Sequence, residues 1–152
     1  MRRAFKYRLY PTRDQERQLR VWLGLCRELY NAALEERREA WKQGARVTYA
    51  DQSRQLPEIK KARPECARVH SQVFQNALLR LNEAFERFFE RVKRGVKPGY
   101  PRFKSRDRYQ SLTWPQTPGF SLPGTKRLRL SGIGESGSRS TARSKGARRP
   151  AS

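Results

Sequence analysis

The sequence predicts an α+β chain: a first strand, an insertion of antiparallel helices, and short returning strands that leave a small sheet incomplete. Three observations predict it. Side chains alternate at residues 4–10, two long stretches carry apolar residues at helical spacing, and short strand-like segments broken by Pro and Gly follow the second stretch. The expected domains are 1–11 as the first strand, 12–96 as the helical domain, 97–135 as a basic loop with returning strands, and 136–152 as a disordered basic tail.

Ala4, Lys6, Arg8 and Tyr10 alternate with Phe5, Tyr7 and Leu9, the pattern of a half-buried strand with a basic face. Pro11 ends it, and Thr12 with Gln15 three residues on makes a capping box. Leu19, Trp22, Leu23, Cys26, Leu29, Tyr30, Ala33, Leu34 and Trp41 then keep helical spacing up to a stop at Gly44. Cys26 lies inside that stripe, so it reads as core filler rather than as a nucleophile. A shorter helix begins at Thr48, with Asp51 three residues on, and stops before Pro57. Pro64 precedes a second long helix, whose stripe is Val73, Phe74, Ala77, Leu78, Leu81, Ala84, Phe85, Phe88 and Val92. Two such stripes pack face to face, antiparallel. Glu83, Glu86, Arg87, Glu90 and Arg91 fall mainly off the stripe and read as a solvated, salt-bridged face rather than a metal pair.

The helix gives way to Lys97-Pro98-Gly99-Tyr100-Pro101-Arg102-Phe103-Lys104, where Gly99 and the two prolines stop the helix from continuing. Cations there suit phosphates, and Tyr100 and Phe103 offer faces to unstacked bases. The other reading is a surface loop whose rings cover a core edge. Lys+Arg 35 against Asp+Glu 14 leaves +21 in 152 residues, a charge that favours a phosphate-rich partner. No stretch is apolar and long enough to span a bilayer, and none reads as the apolar core of a signal peptide, so no membrane partner is expected. Cys26 and Cys66 lack metal or disulfide spacing and His70 is the single histidine, which makes a reducing cytoplasm the default.

Ser111-Leu112-Thr113-Trp114 and Leu128-Arg129-Leu130 read as short strands around the turns at Pro118-Gly119 and Pro123-Gly124. From Ser136 onward nothing larger than Ala is apolar, so that stretch cannot bury enough to order itself. With synonymous codons chosen freely and one base restored upstream, Ser136 to Gly146 becomes an alternating apolar and cationic segment, as a frame-shifted tail would.

Phe5-Lys6-Tyr7-Arg8-Leu9-Tyr10-Pro11-Thr12, Leu29-Tyr30-Asn31-Ala32-Ala33-Leu34, Gln75-Asn76-Ala77-Leu78 and Gly99-Tyr100-Pro101-Arg102-Phe103-Lys104 occur in that order. Together they resemble the amino-terminal region of TnpB (OrfB) proteins, transposon-encoded RNA-guided nucleases, over roughly residues 1–135. The resemblance implies that the strands belong to an incomplete oligonucleotide-binding-type β-barrel, the wedge. The helices between them would be the recognition domain, once described as a helix-turn-helix. It also implies DNA and guide RNA as partners. Target-adjacent DNA would be read at Tyr49, Ser71, Gln75 and Thr113, with Gln75 the best physical candidate because an amide pairs bidentately with adenine. Guide RNA would lie along Lys6, Arg8, Tyr100, Arg102, Phe103, Lys104 and Arg106, where phosphate contacts supply affinity more than sequence information.

In the family, three carboxylates of a RuvC-like domain hold divalent metal for cleavage and a zinc ribbon lies within that domain. Both are expected beyond residue 152, so this chain is expected to hold no cofactor and not to be a nuclease by itself. Its aspartates fit other roles: Asp14 and Asp51 sit at helix starts, and Asp107 lies between Arg106 and Arg108. A separate chain carrying the nuclease half would make it an enzyme subunit. Two other readings stand beside this truncated nuclease: a stand-alone helix-turn-helix repressor, and a basic RNA-binding or assembly protein.

Overall fold

A computed structural model describes residues 7–114, 120–121, 127–130 and 133–140. It divides into two compact units, one drawn from residues 1–20 and 116–152, the other from 21–115.

The first unit holds four strands: β1 (Tyr7–Tyr10), β2 (Phe120–Ser121), β3 (Arg127–Leu130) and β4 (Gly134–Ser140). They lie in the order β1-β4-β3-β2, every pairing antiparallel. Gly137 of β4 stands opposite both Tyr10 of β1 and Arg127 of β3, so β4 is an interior strand. The start of α1 (Arg13–Lys42) also belongs here. As expected, Thr12 and Gln15 cap it reciprocally: the Thr12 N–H donates to Gln15 Oε1 at 3.0 Å, and the Gln15 N–H to Thr12 Oγ1 at 3.2 Å.

The expected α+β fold built on an oligonucleotide-binding-type barrel is corrected. Helix dominates the described residues, with 30 residues in α1 and 23 in α5 (Ser71–Lys93), whereas the strands run from 2 to 7 residues. Among the described residues the ladder is open, because β1 and β2 end it on opposite sides and are not paired, and closure is what makes a barrel. Two strand assignments change with it. Ser111–Trp114 forms no strand, because its side chains turn to the helices: Trp114 lies 6.1 Å from Trp22, and Thr113 accepts a hydrogen bond from Arg80. The stretch from Ser136 was expected to be disordered, yet its first residues, through Ser140, complete β4; residues 141–152 and the expected strand start at 4–6 lie outside the described residues.

The second unit is helical. Besides most of α1 and all of α5 it contains α2 (Tyr49–Arg54), α3 (Leu56–Ala62) and α4 (Pro64–Ala67). Thr48 caps α2 with Asp51 in a full capping box. Pro57 and Pro64 do not merely end helices. Each sits in the first turn of a new one, where its missing N–H would have had no helical partner. His70 is the N-cap of α5, its Nδ1 accepting from the Gln72 N–H at 3.3 Å. Both long helices end in the same way. Gly44 and Gly95 take positive φ (77° and 69°), and the next residue donates back to the carbonyl of Ala40 or Arg91.

The core lies between the stripes of α1 and α5. Trp22, Cys26 and Leu34 from one helix and Val73, Phe74, Leu78 and Leu81 from the other are fully buried. Trp41 and Val92, expected on these stripes, are exposed. Leu56, Cys66, Val69 and Tyr109 close the sides. Inside this packing Gln52 is the one buried polar side chain among the described residues. Its Nε2 donates to the Ala33 carbonyl at 2.8 Å, and its Oε1 accepts from Arg37 Nε at 3.0 Å. No helix among the described residues is long and apolar enough to cross a membrane.

Burial also fixes the chemistry of the cysteines. Desolvation pushes the Cys26 thiol up to about 12, against an ordinary value of 9.0, and it also raises Cys66. A raised thiol pKa favours the neutral form in the fold. That contribution is therefore intact below the ordinary thiol range and is lost as pH rises toward 12. With a disulfide thiol reagent at pH 8, the folded chain is expected to show no fast phase from Cys26, and both thiols should titrate in guanidinium. Rapid labelling of Cys26 under native conditions would contradict its place in the core.

Candidate nucleic-acid interface

One side chain holds the backbone of the cationic loop to α1. Asn31, on α1, donates from Nδ2 to the Lys104 carbonyl at 2.9 Å and accepts from the Lys104 N–H at Oδ1, 2.8 Å. The carboxamide thus pairs with the loop backbone as a neighbouring strand would. Tyr100 stands edge-on against Phe85 and Phe88, at centroid distances of 5.5 and 5.3 Å. That is the core-covering role the sequence left open. The Arg38 guanidinium lies over the Phe103 ring at 5.3 Å, and the Lys104 ammonium over Tyr30 at 5.8 Å. Rings and cations of the loop are therefore interleaved with those of α1. Arg102 and Arg106 remain exposed, and neither makes an ion pair among the described residues. Lys6 lies outside the described residues, and Arg8 pairs through its backbone in β1 with Arg139 of β4.

The expected DNA-reading residues gather around α5. Gln75 donates from Nε2 to Tyr49 Oη at 2.8 Å and to Ser53 Oγ at 3.1 Å. Its donors are thus engaged inside the protein, and bidentate pairing with adenine would require them to change partner. Ser71, exposed at the start of α5, precedes Gln75 by four residues and so shares its helix face. Thr113 joins through Arg80, whose Nη2 donates to Thr113 Oγ1 at 2.9 Å and whose Nε donates to Asn76 Oδ1 at 2.8 Å. The same guanidinium lies 4.8 Å from the buried Tyr109 ring, which burial holds well above the usual phenol range. Arg80 and Asn31 are the organising residues that periodicity missed. Both lie within or beside the recurring motifs, but their partners are 33 and 73 residues away.

The carboxylates serve local structure. Asp51 is held below its ordinary value by the Thr48 N–H and hydroxyl. Asp14 lies 3.8 Å from Arg17, both largely exposed, where such a pair is worth little. Asp107 stands in a single 3-10 turn, Arg106–Arg108. Among the described residues no group of three or more His, Cys, Asp or Glu is placed to hold a metal ion.

A family model described as a helix-turn-helix domain, that of OrfB proteins of IS605 elements, matches residues 1–46. The described part of that span is one strand, one long helix and its terminal turn, so a second helix is reached only at α2. A protein of Streptomyces pristinaespiralis named "Putative RNA-guided DNA endonuclease" is 41% identical over 109 residues, 70% of this chain and 26% of the relative. InsQ of Escherichia coli K12, which carries the same description, is 31% identical over 116 residues, 74% of this chain and 28% of the relative. The chain thus spans about a quarter of the length of these curated relatives. These matches make the chain similar to TnpB/OrfB proteins and support its reading as an amino-terminal part of one.

Proposed function

We propose that the chain is the nucleic-acid-binding portion of a TnpB-type RNA-guided DNA endonuclease, that it engages both DNA and guide RNA, and that it does not cut DNA alone. The observation that carries this reading is the fastening of the cationic loop by Asn31. Phosphate-binding cations on a fixed backbone lose less freedom on binding than cations on a free loop, so more of the electrostatic attraction appears as affinity. Arg102 and Arg106, with Lys6, Arg8 and Lys104, would take the RNA backbone, beside the rings of Tyr100 and Phe103. Tyr49, Ser71, Gln75 and Thr113 would face target-adjacent DNA. The cutting carboxylates, their divalent metal and any structural zinc would come from a nuclease portion, in the same protein or on a separate chain.

Affinity for structured RNA and for duplex DNA is expected to fall steeply with salt. Changing Arg102 and Lys104 together to Ala should flatten the slope of log K against log salt by about one to two units. The same preparation with Mg²⁺ and pooled DNA targets should cut no more than buffer does. A salt-independent affinity would remove the basis for the reading. Metal-dependent cutting that survives repurification would place the nuclease within this chain.

A further inference from the structure

At the far end of the helical unit, the last turns of α1 and α5 and the loop at Tyr100 enclose an open groove of about 1210 Å³. This exceeds the roughly 300–1,000 Å³ of small-molecule pockets, and the groove is a trough rather than an enclosed cavity. Its walls carry rings that keep an exposed face. Trp41 is 68% exposed, Phe89 43% and Tyr100 39%, although Trp41 lies on the stripe that buries Trp22 one end away. Phe88, half-buried, touches both Phe89 and Tyr100 edge-on at 5.3 Å. The rim is cationic. Arg46, Lys93 and Arg94 line it and make no ion pair among the described residues. Two carboxylates also line it, Glu86, which accepts from Asn82, and Glu90. Arg37, over the Phe85 ring and bonded to Gln52 and Asn82, belongs to the wall.

We propose that this groove binds a single-stranded nucleic-acid segment, its unpaired bases stacked on Trp41 and Phe89 and its phosphates met by Arg46, Lys93 and Arg94. The proposal rests on the nucleic-acid reading above and adds a site that adjoins the Gln75 cluster through Tyr49, which lines the groove and accepts from Gln75, and adjoins the loop through Tyr100. Exposed rings interleaved with unpaired cations are the arrangement that holds single strands with little sequence preference, because every base has a stacking face and every nucleotide a phosphate. A duplex, with its bases stacked inside, has no use for the rings. Charge decides against a second copy as occupant: a chain carrying +21 would bring cations to a cationic rim.

The test uses the whole chain with short oligonucleotides carrying 2-aminopurine, as single-stranded RNA, single-stranded DNA and duplex DNA. Binding to single strands should quench the probe. Trp41→Ala and Phe89→Ala should each weaken single-strand binding about 5- to 150-fold, the range for one lost stacked base, with duplex affinity and salt slope unchanged. Trp41 is exposed, so an unchanged melting curve will establish that its variant folds. Arg46→Ala with Arg94→Ala should flatten the single-strand salt slope by about one unit or more. The RNA and DNA arms identify which strand the groove prefers. Single-strand affinity and quenching that persist in both ring variants overturn the groove while leaving the nucleic-acid reading standing. Loss of a concentration-dependent oligomer in Trp41→Ala, with unchanged single-strand binding, assigns the groove to self-association and also overturns it. No binding of any oligonucleotide at low salt overturns the reading on which it rests.

Discussion

Trp22→Ala is expected to remove about 3–5 kcal/mol of stability, the range for truncating a buried tryptophan. Trp22 is only 1% exposed and stands one turn before Cys26 on the buried face of α1. Its ring also meets Trp114 at 6.1 Å, with a 32° tilt. Truncation therefore opens a cavity in the core and takes away the surface that holds residues 111–114 against the helices. Because a domain of this size has roughly 5–15 kcal/mol in hand, the variant should lie close to its unfolding midpoint at mild urea concentrations. Urea titration followed by far-UV circular dichroism measures the effect. Trp41→Ala is the matched comparison: the same chemistry at a position 68% exposed should change stability by no more than about 0.5 kcal/mol. Similar losses at the two sites would mean that the stripe is buried along its whole length, contrary to the structure.

That contrast also shows what periodicity can and cannot reveal. Spacing assigned Trp22 and Trp41 to one face correctly, since both follow from 3.6 residues per turn. It carries no information on how far the opposing layer extends, and at Trp41 that layer is missing. Proline cannot sit inside a helix, which makes Pro57 a stop by sequence and puts Pro64 ahead of the second long helix; the same geometry lets proline open a helix, and the short helices α3 and α4 use that option. β4 was illegible for a different reason. Gly134–Ser140 holds Gly, Ser, Arg and Glu, which carry little intrinsic strand preference, and the segment is a strand through its two neighbours, β1 and β3. The cap residues were the most legible features, because Thr12 with Gln15 and Thr48 with Asp51 complete their bonds within four residues.

The candidate interface divides along the same line. The loop from Lys97 to Lys104 announced itself by composition, and its helix-stopping Gly and Pro required no distant contact. The pairing of Gln75 with Tyr49 was not readable, since a helix position says nothing of which hydroxyl will lie across from it. This matters for function. A Gln75 amide already bonded to Tyr49 and Ser53 holds its side chain in one orientation, and any base it reads must compete with those two hydroxyls.

Asn31→Ala is expected to cost about 2–3 kcal/mol and to weaken nucleic-acid binding about tenfold without changing its salt dependence. The two effects have one origin. Truncation leaves the Lys104 N–H and carbonyl half-buried without the partners they have at 2.8 and 2.9 Å, and the loop is released from α1. Arg102 keeps its charge but loses its fixed position, so the cost of ordering the loop moves into the binding step. The number of phosphates neutralised does not change, and neither should the slope of log K against log salt. Removal of Arg102 itself acts in the opposite manner, reducing the slope. Asn31→Asp separates the two bonds: a carboxylate still accepts from the Lys104 N–H but cannot donate to the carbonyl, so about half of the stability loss should remain. Equal stability in all three proteins would mean that the loop is held by Tyr100 and the stacked rings alone. A reduced salt slope in Asn31→Ala would mean that release of the loop removes phosphate contacts outright.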